Sequence, residues 1–360
     1  MNGTLFPEGG PNRVKSLENN QYKMSFTIPT DEDGRMGRQC PIKTCSPGYF
    51  KVKPGTGVTG GQVAAYCPYC RHSTEPSDFA TKEQIRYAKG LLLREVQKGV
   101  NEMIRDTMGL GASGKRKIGG GFLSVELSYK PGTLPHVRQP VEDEVRREVV
   151  CPLCTLDQTV FGLAMWCADC GKDIFMVHVS AELAVIRRMV DDIGRREASL
   201  GRRVAAKDHE NCLEDAVSIF EASAKAIVRR ALIERGDTPE QIDAHFKKIG
   251  NSFQSIERTR SQLKELFGFD LDADSRWESL SSSFAKRHPV THNLGVIDRK
   301  YLERIQEAER EGREVRISTA EIQNLLIHVE QAVSHIHSKL GATTQHSLLG
   351  SGEYGLDDSK

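Results

Sequence analysis

The chain has no long apolar run. No window of about 18 residues is predominantly apolar, so we expect no membrane-spanning helix and no membrane partner. The first stretch, Met1–Gln21, also lacks the apolar core that is typical of a secretion signal. These two absences together predict a cytoplasmic protein.

The chain as a whole also lacks a net excess of charge of either sign. Its 50 Lys and Arg residues face 49 Asp and Glu residues, which argues against a highly basic nucleic-acid coat and against an acidic disordered protein. The balance hides an asymmetry, because residues 1–207 carry a net charge of +7 and residues 208–360 carry −6. Since 360 residues exceed one ordinary domain, we expect at least two differently charged parts.

Cysteine is almost absent from the second part, where Cys212 stands alone and is expected to be a small core residue. The other eight cysteines form four close pairs, three of them with the C-x-x-C spacing that lets two thiolates of one turn reach one metal ion. Grouped by proximity in the sequence, the pairs predict two structural zinc ions, each held by four cysteines with no open coordination position. The first set of ligands is Cys40, Cys45, Cys67 and Cys70, and the second is Cys151, Cys154, Cys167 and Cys170.

A disulfide framework is the alternative interpretation of these cysteines. It is typical of secreted proteins, and the missing export signal favours zinc instead. A redox C-x-x-C site needs only one pair, so four pairs argue against it.

Helical patterns occupy much of the remaining sequence. Capping boxes at Thr81 and Thr238, each with Gln three residues later, predict helix starts, and the first of these helices is expected to reach Met108. Gly236 and Gly268 predict helix ends. Apolar residues recur every three or four positions through residues 208–340, which predicts an all-α bundle.

A glycine-rich segment, 109–121, separates the first helix from a predicted half-buried strand at Leu123–Tyr129. It is not a P-loop, because Arg116 stands where Ser or Thr must hold magnesium and because the segment follows a helix instead of a strand. We predict a flexible turn. Its run Lys115-Arg116-Lys117 is able to contact phosphate, although a solvated loop is the default interpretation.

These patterns predict a multidomain fold: a small α/β N-terminal part with two zinc ribbons of four cysteines each, followed by an all-α helical bundle. The twelve-residue loop between the last two cysteine pairs, which contains the apolar run 160–166, is expected to form a short two-stranded ribbon. The arginines of the predicted linker can contact a phosphate backbone or can simply be solvated, and both interpretations stay open. The predicted segments are a flexible N-terminal segment at 1–36, zinc ribbon 1 at 37–80, a helix plus strand connector at 81–148, zinc ribbon 2 at 149–178, a basic helical linker at 179–207, the helical domain at 208–340 and a disordered tail at 341–360.

The bundle contains the run Arg287-His288-Pro289-Val290-Thr291-His292-Asn293. Pro289 predicts that a helix ends or kinks there. A guanidinium supplies fixed charge and forked donors, and an imidazole transfers protons near neutral pH, so the run is able to bind a phosphodiester. The alternative is that these side chains only cap a helix end.

The spacing of Arg287 and His292, followed by Asn293-Leu294-Gly295-Val296-Ile297-Asp298, resembles the HEPN superfamily over residues 208–340. The resemblance implies a dimeric, metal-independent endoribonuclease without a catalytic cofactor, of the kind found among toxins and antiviral defence systems. It also implies that Arg287 positions the scissile phosphate, that His292 is the general acid or base, that His288 assists binding or orientation, and that Asn293 donates a nearby hydrogen bond. Leu294 departs from relatives that have Tyr at this position, so nucleotide transfer to that site is not expected.

The predicted function is therefore RNA cleavage at a dimeric Arg and His site, with zinc ribbons that recognise RNA or a protein partner. The alternative is a non-catalytic, zinc-dependent regulator that binds nucleic acid or protein and dimerises through the helical bundle.

Overall fold

The computed structural model describes residues 6, 9, 12–17, 21–111, 113–120, 124–271, 275–303, 305 and 311–341. Two compact units are present: an N-terminal unit of Met1–Phe161 with Cys167–Lys172, and a helical unit of Gly162–Trp166 with Asp173–Lys360. Small sheets with cysteine clusters in the first unit and a largely helical second unit confirm the coarse prediction of the fold. The predicted tail lies outside the described residues beyond Gly341, as do parts of the predicted segment 1–36.

All described strands belong to the N-terminal unit and pair antiparallel. The strands are β1 (Lys15–Ser16), β2 (Tyr22–Lys23), β3 (Met36–Gln39), β4 (Tyr49–Val52), β5 (Ala65–Tyr66), β6 (Ser73–Thr74), β7 (Lys115–Ile118), β8 (Val125–Ser128), β9 (Arg147–Val150) and β10 (Asp157–Val160). Within the described residues they form a central sheet of order β3-β4-β10-β9 and three two-stranded ribbons, β1-β2, β5-β6 and β7-β8.

The central sheet joins the two predicted zinc ribbons. Strand β4 pairs with β10 through Val52 and Gln158, so segments more than 100 residues apart share one ladder. All four residues of β4 are buried, and Phe50 packs edge-on against Phe79. The two-stranded ribbon predicted between the last two cysteine pairs is wrong, because this loop contributes one strand, β10, which pairs with β9 and β4 in the central sheet.

The helix α1 (Lys82–Thr107) starts at the predicted capping box, in which the Gln84 amide donates to Thr81 Oγ1. The side chain of Gln84 also donates to the Gly37 carbonyl at 2.7 Å and to Glu142 at 2.9 Å, which ties the start of the helix to β3.

We expect Gln84→Ala to lower the free energy of unfolding of the N-terminal unit by about 1–3 kcal/mol, because it leaves the buried Gly37 carbonyl without this donor. Urea unfolding followed by circular dichroism measures the change. The matched control is Gln97→Ala on the same helix, whose side chain makes a 3.4 Å contact at an exposed position. Equal stability of the Gln84 and Gln97 variants would contradict this reading of the contact.

Strand β7 lies where a flexible turn was predicted, and β8 lies in the predicted strand. Residues of β7 are all exposed. The predicted half-burial holds for Leu127 and Tyr129, which are half-buried, but not for Val125, which is 56% exposed. Alternating apolar residues indicate a strand correctly, but they do not guarantee that anything covers one face. Leu123, the predicted first residue of the strand, lies outside the described residues.

The remaining helices belong to the helical unit. They are α2 (Phe175–Leu200), α3 (Arg202–Arg235), α4 (Pro239–Ile249), α5 (Ile256–Phe267), α6 (Ser275–His292), α7 (Arg299–Leu302) and α8 (Thr319–Gly341). The long helices α2, α3 and α8 pack together around Leu213, Phe220 and Val333, in a core that also contains Cys212, as predicted. Gly236 and Gly268 end α3 and α5 in the left-handed conformation, also as predicted.

The segment predicted as a basic linker, 179–207, is part of this core. Ile186, Val190 and Ile193 of α2 are buried in it, so the helical unit extends about 30 residues before the predicted boundary at 208. The basic side chains of this segment are engaged with nearby carboxylates, as in the 3.1 Å pair of Arg196 and Asp208.

Helix α6 continues through Pro289 to His292, so of the two predicted outcomes, an end or a kink at the proline, the end is wrong. Proline removes a single amide donor, and the next residue, Val290, is 5% exposed and packs in the core, which favours continuation. The turn that ends the helix follows, where the Gly295 amide donates to the Pro289 carbonyl and Leu294 adopts φ 53°. None of the described helices is long and apolar enough to cross a membrane.

Candidate functional site

The eight paired cysteines form the two predicted clusters. In each cluster the four Sγ atoms lie within 4.8 Å of one another. The Sγ–Sγ distances include 3.7 Å for Cys40 with Cys70 and for Cys45 with Cys67, and 3.4 Å for Cys154 with Cys167. These distances are too long for a disulfide, so the alternative framework is wrong. They fit the edge of about 3.8 Å that follows from tetrahedral Zn–S bonds of about 2.3 Å.

The three C-x-x-C turns have the same backbone geometry. In each turn the amide of the first cysteine donates to the carbonyl five residues later, and the amide of the residue after the second cysteine donates to the first cysteine's carbonyl. That residue is left-handed in all three turns: Arg71 with φ 61°, Thr155 with φ 62° and Gly171 with φ 64°. Only Gly171 allows this conformation to be predicted from the sequence, because Arg and Thr rarely adopt it.

Burial disfavours the charged thiolate form of three of these cysteines. It raises the pKa of Cys154 to about 11 and also raises the pKa of Cys40 and Cys167. A metal ion must displace these protons to bind, so metal affinity should fall as the pH is lowered. Soft thiolate donors without carboxylate or imidazole suit zinc.

A buried ion pair connects the surroundings of the two clusters. Arg38, two residues before Cys40, contacts Asp169 at 3.4 Å, and Asp169 lies between Cys167 and Cys170. Both side chains are at most 10% exposed, and Gln62 also donates to Asp169 at 3.0 Å. Removing one partner of such a pair would leave a buried charge uncompensated.

The second candidate site is a pocket of about 580 Å³ in the helical unit, which we call the Arg-His pocket. Three of the four residues predicted as catalytic line it, all from the last turns of α6, and two further cations join them. The lining includes Gln254, Glu257, Arg258, Arg287, His288, His292 and Lys300.

A chain of polar contacts fixes the guanidinium of Arg287. Its Nη1 donates to Gln254 Oε1 at 2.9 Å, Gln254 in turn donates to Glu221 at 2.9 Å, and Glu221 accepts from Lys225 at 2.6 Å. Arg287 Nε is buried, and it has no hydrogen-bond partner among the described residues. Gln254 therefore fixes the orientation of the guanidinium, as a phosphate-binding group requires.

The two histidines lie side by side, with ring centroids 5.1 Å apart. His288 is 3.6 Å from Asp298, which also accepts a 2.7 Å hydrogen bond from Asn293. The Tyr301 amide, Asn293 and His288 lower the pKa of Asp298, so this carboxylate is negative beside His288. His292 is exposed on the open side.

Asn293, the fourth residue predicted as catalytic, does not line the pocket. Its contact with Asp298 makes it a support for the group beside His288 instead. Gln254, Arg258 and Lys300 were not predicted as site residues. They come from other elements, and no pattern within their own segments indicates a site.

Comparison with protein-family models, curated proteins and solved structures gave no match to this chain. The resemblance to the HEPN superfamily is neither confirmed nor contradicted by these comparisons.

Proposed function

We propose that the helical unit is a metal-independent endoribonuclease whose active site is the Arg-His pocket. The observation that carries the proposal is the convergence of Arg287, His288 and His292 on one pocket with Arg258 and Lys300. Arg258, Arg287 and Lys300 outnumber Glu257, the one carboxylate in the lining, which favours a polyanionic substrate, and the two imidazoles supply proton transfer.

In the proposed reaction, Arg287 binds the scissile phosphate and stabilises the charge that develops on its oxygens. His292, exposed at the pocket, exchanges a proton with the reacting oxygens as general acid or base. The RNA 2′-hydroxyl loses its proton and forms a bond to phosphorus, while the bond to the 5′-oxygen breaks and that oxygen gains a proton. The products are a 2′,3′-cyclic phosphate and a 5′-hydroxyl. His288, beside Asp298, orients the substrate.

We further propose that the two cysteine clusters bind structural zinc ions. Four thiolates complete a tetrahedral site, so no step of the reaction involves these ions. A homodimer that brings two Arg-His pockets together, and a role in defence or as a toxin, rest on the resemblance alone.

The test is incubation of the purified chain with labelled RNA in buffer without added metal. We expect fragments that end in 2′,3′-cyclic phosphate, identified by mass spectrometry. The matched substrate is the same oligonucleotide with 2′-deoxyribose, which lacks the nucleophile and should stay intact. Cleavage of the deoxy substrate would overturn the proposed chemistry, and intact RNA over a panel of sequences would favour the non-catalytic regulator.

Gln254 is expected to act as a positioning residue for Arg287. Gln254→Ala should lower kcat/KM for RNA about tenfold, because the guanidinium loses its fixed orientation while its charge is retained. The control is Gln323→Ala, at an exposed position of α8 outside the pocket. A parallel loss of thermal stability and activity in the Gln254 variant would instead indicate a purely structural role.

A further inference from the structure

The positive charges of residues 1–207 differ in how far they are exposed and in whether carboxylates compensate them. In and beside the central sheet, basic residues form buried ion pairs. Arg35 contacts Asp157 at 3.0 Å, and Lys51 contacts Asp31 at 2.8 Å. Both are less than 10% exposed, like Arg38, so the central sheet has few of its cations left for a ligand.

The basic segment near residue 200 is compensated too. Besides Arg196, described above, Arg195 lies 2.6 Å from Asp192, and both Arg203 and Lys207 contact Glu210. The cations of these pairs are exposed and such pairs are weak, so the interpretation in which this segment binds a phosphate backbone stays open.

The hairpin of β7 and β8 differs from both regions. Residues 105–138 contain six Lys and Arg against two Asp and Glu. Lys115 and Lys117 lie on the same face of β7, and Glu126 is the only acidic residue in the two strands. The pair of Lys115 and Glu126 is exposed, and such pairs are weak and screened by salt.

A pocket of about 510 Å³ lies at the base of this hairpin, and we call it the hairpin pocket. Arg105, Lys115 and Lys130 line it together with Tyr129, and no acidic residue among those described does. The Tyr129 hydroxyl donates to Asn101 at 2.7 Å, which fixes the ring against α1.

Glycine is required to build this pocket. Gly114 adopts φ 68°, and a Cβ atom there would lie 2.7 Å from the Tyr129 carbonyl oxygen. Its own carbonyl accepts the Tyr129 amide at 2.9 Å, so the lysines and the ring are held together at the end of the ribbon.

We propose that the hairpin pocket binds single-stranded nucleic acid, with a backbone phosphate between Lys115, Lys130 and Arg105 and an unpaired base against Tyr129. Clustered cations beside an aromatic ring are the combination that single strands require, since every base offers a face for stacking. Lys117, along the same strand face, extends the contact to a neighbouring phosphate. This site lies in the N-terminal unit and does not depend on cleavage at Arg287.

The test uses the full chain and a fluorescent 2′-O-methyl oligouridylate, which has no free 2′-hydroxyl and cannot be cleaved by the proposed reaction. We expect anisotropy to show that replacing Lys115, Lys117 and Lys130 together with Gln weakens binding about tenfold at low salt. The slope of log affinity against log salt should become smaller by about 2, as expected for three lost phosphate contacts.

The matched control replaces three exposed lysines elsewhere, Lys43, Lys247 and Lys339, with Gln. It makes the same change in net charge and should bind nearly as the wild type does. Equal losses in the two triple variants would overturn the proposal, because they would indicate an effect of net charge alone.

Stacking is tested separately with Tyr129→Ala. This variant should bind the oligouridylate about tenfold more weakly and should bind inorganic polyphosphate, which has no bases, as the wild type does. Unchanged binding of the oligouridylate would overturn the role of the ring. If RNA is never cleaved but binding depends on the hairpin, the proposed nuclease fails and this inference stands.

Discussion

Replacing Arg287 with alanine is expected to slow metal-free RNA cleavage by about 100- to 1,000-fold. Its guanidinium combines a permanent charge with an orientation fixed by Gln254. Losing one preorganised group that stabilises transition-state charge typically has an effect of this size. Single-turnover kinetics with saturating enzyme measures the loss in the chemical step.

Replacing His292 with alanine tests the other half of the site, with an expected loss of about 100-fold or more. The controls are Arg299→Ala and His335→Ala, which change the same residue types outside the pocket. Both controls should cleave nearly as fast as the wild type. If the Arg287 and His292 variants cleave as fast as these controls, the nuclease activity does not reside in this pocket.

Loss of either cysteine cluster is expected to unfold the whole N-terminal unit. Cys67→Ser tests the first cluster and Cys167→Ser tests the second. Binding of structural zinc contributes about 10 kcal/mol or more, which is comparable with the total stability of a domain. Because β4 and β10 are paired, damage at one cluster should spread to the other through the sheet.

Elemental analysis should find two zinc ions in the wild-type chain and fewer than one in each serine variant. The matched control is Cys212→Ala in the helical core, which should keep both ions and lose about 1 kcal/mol of stability. One zinc ion in each serine variant would show that the clusters fold independently. A wild-type chain without zinc that unfolds in reducing agent would contradict the metal assignment.

The parts of the fold that depend on neighbouring residues were predictable from sequence. The capping boxes at Thr81 and Thr238 join residues three apart, and the structure contains both. Each C-x-x-C pair was predictable for a similar reason, since a tight turn holds its two cysteines together. The grouping of pairs into two clusters was predicted from proximity in the sequence, and the structure contains those clusters.

The shared sheet was not predictable in this way. Pairing of Val52 with Gln158 depends on register between distant strands, which no local pattern specifies. The start of the helical unit was misplaced because the charges of residues 187–207 dominate that segment. The buried residues of α2, among them Ile186 and Val190, are interspersed in the sequence with charged residues. These charges obscure the regular spacing of the apolar residues.

The residues of the Arg-His pocket also divide into those that the sequence predicts and those that only tertiary packing places there. Arg287, His288 and His292 are neighbours in sequence, and their residue types already indicate phosphate chemistry. Gln254, Arg258 and Lys300 reach the pocket from other elements. Their contribution follows from tertiary packing, and it becomes visible only when the helices are placed.

The pairing of β4 with β10 also means that the first cysteine cluster is synthesised before the strand that completes its sheet. At roughly 5–20 residues per second, about 5 to 20 s pass between synthesis of Val52 and of its partner Gln158. During that interval the first four thiols have been made, but the strand that completes their sheet has not. Early zinc capture at Cys40, Cys45, Cys67 and Cys70 would protect these thiols from oxidation, so zinc starvation during synthesis should lower the yield of folded chain more than chelation after folding does.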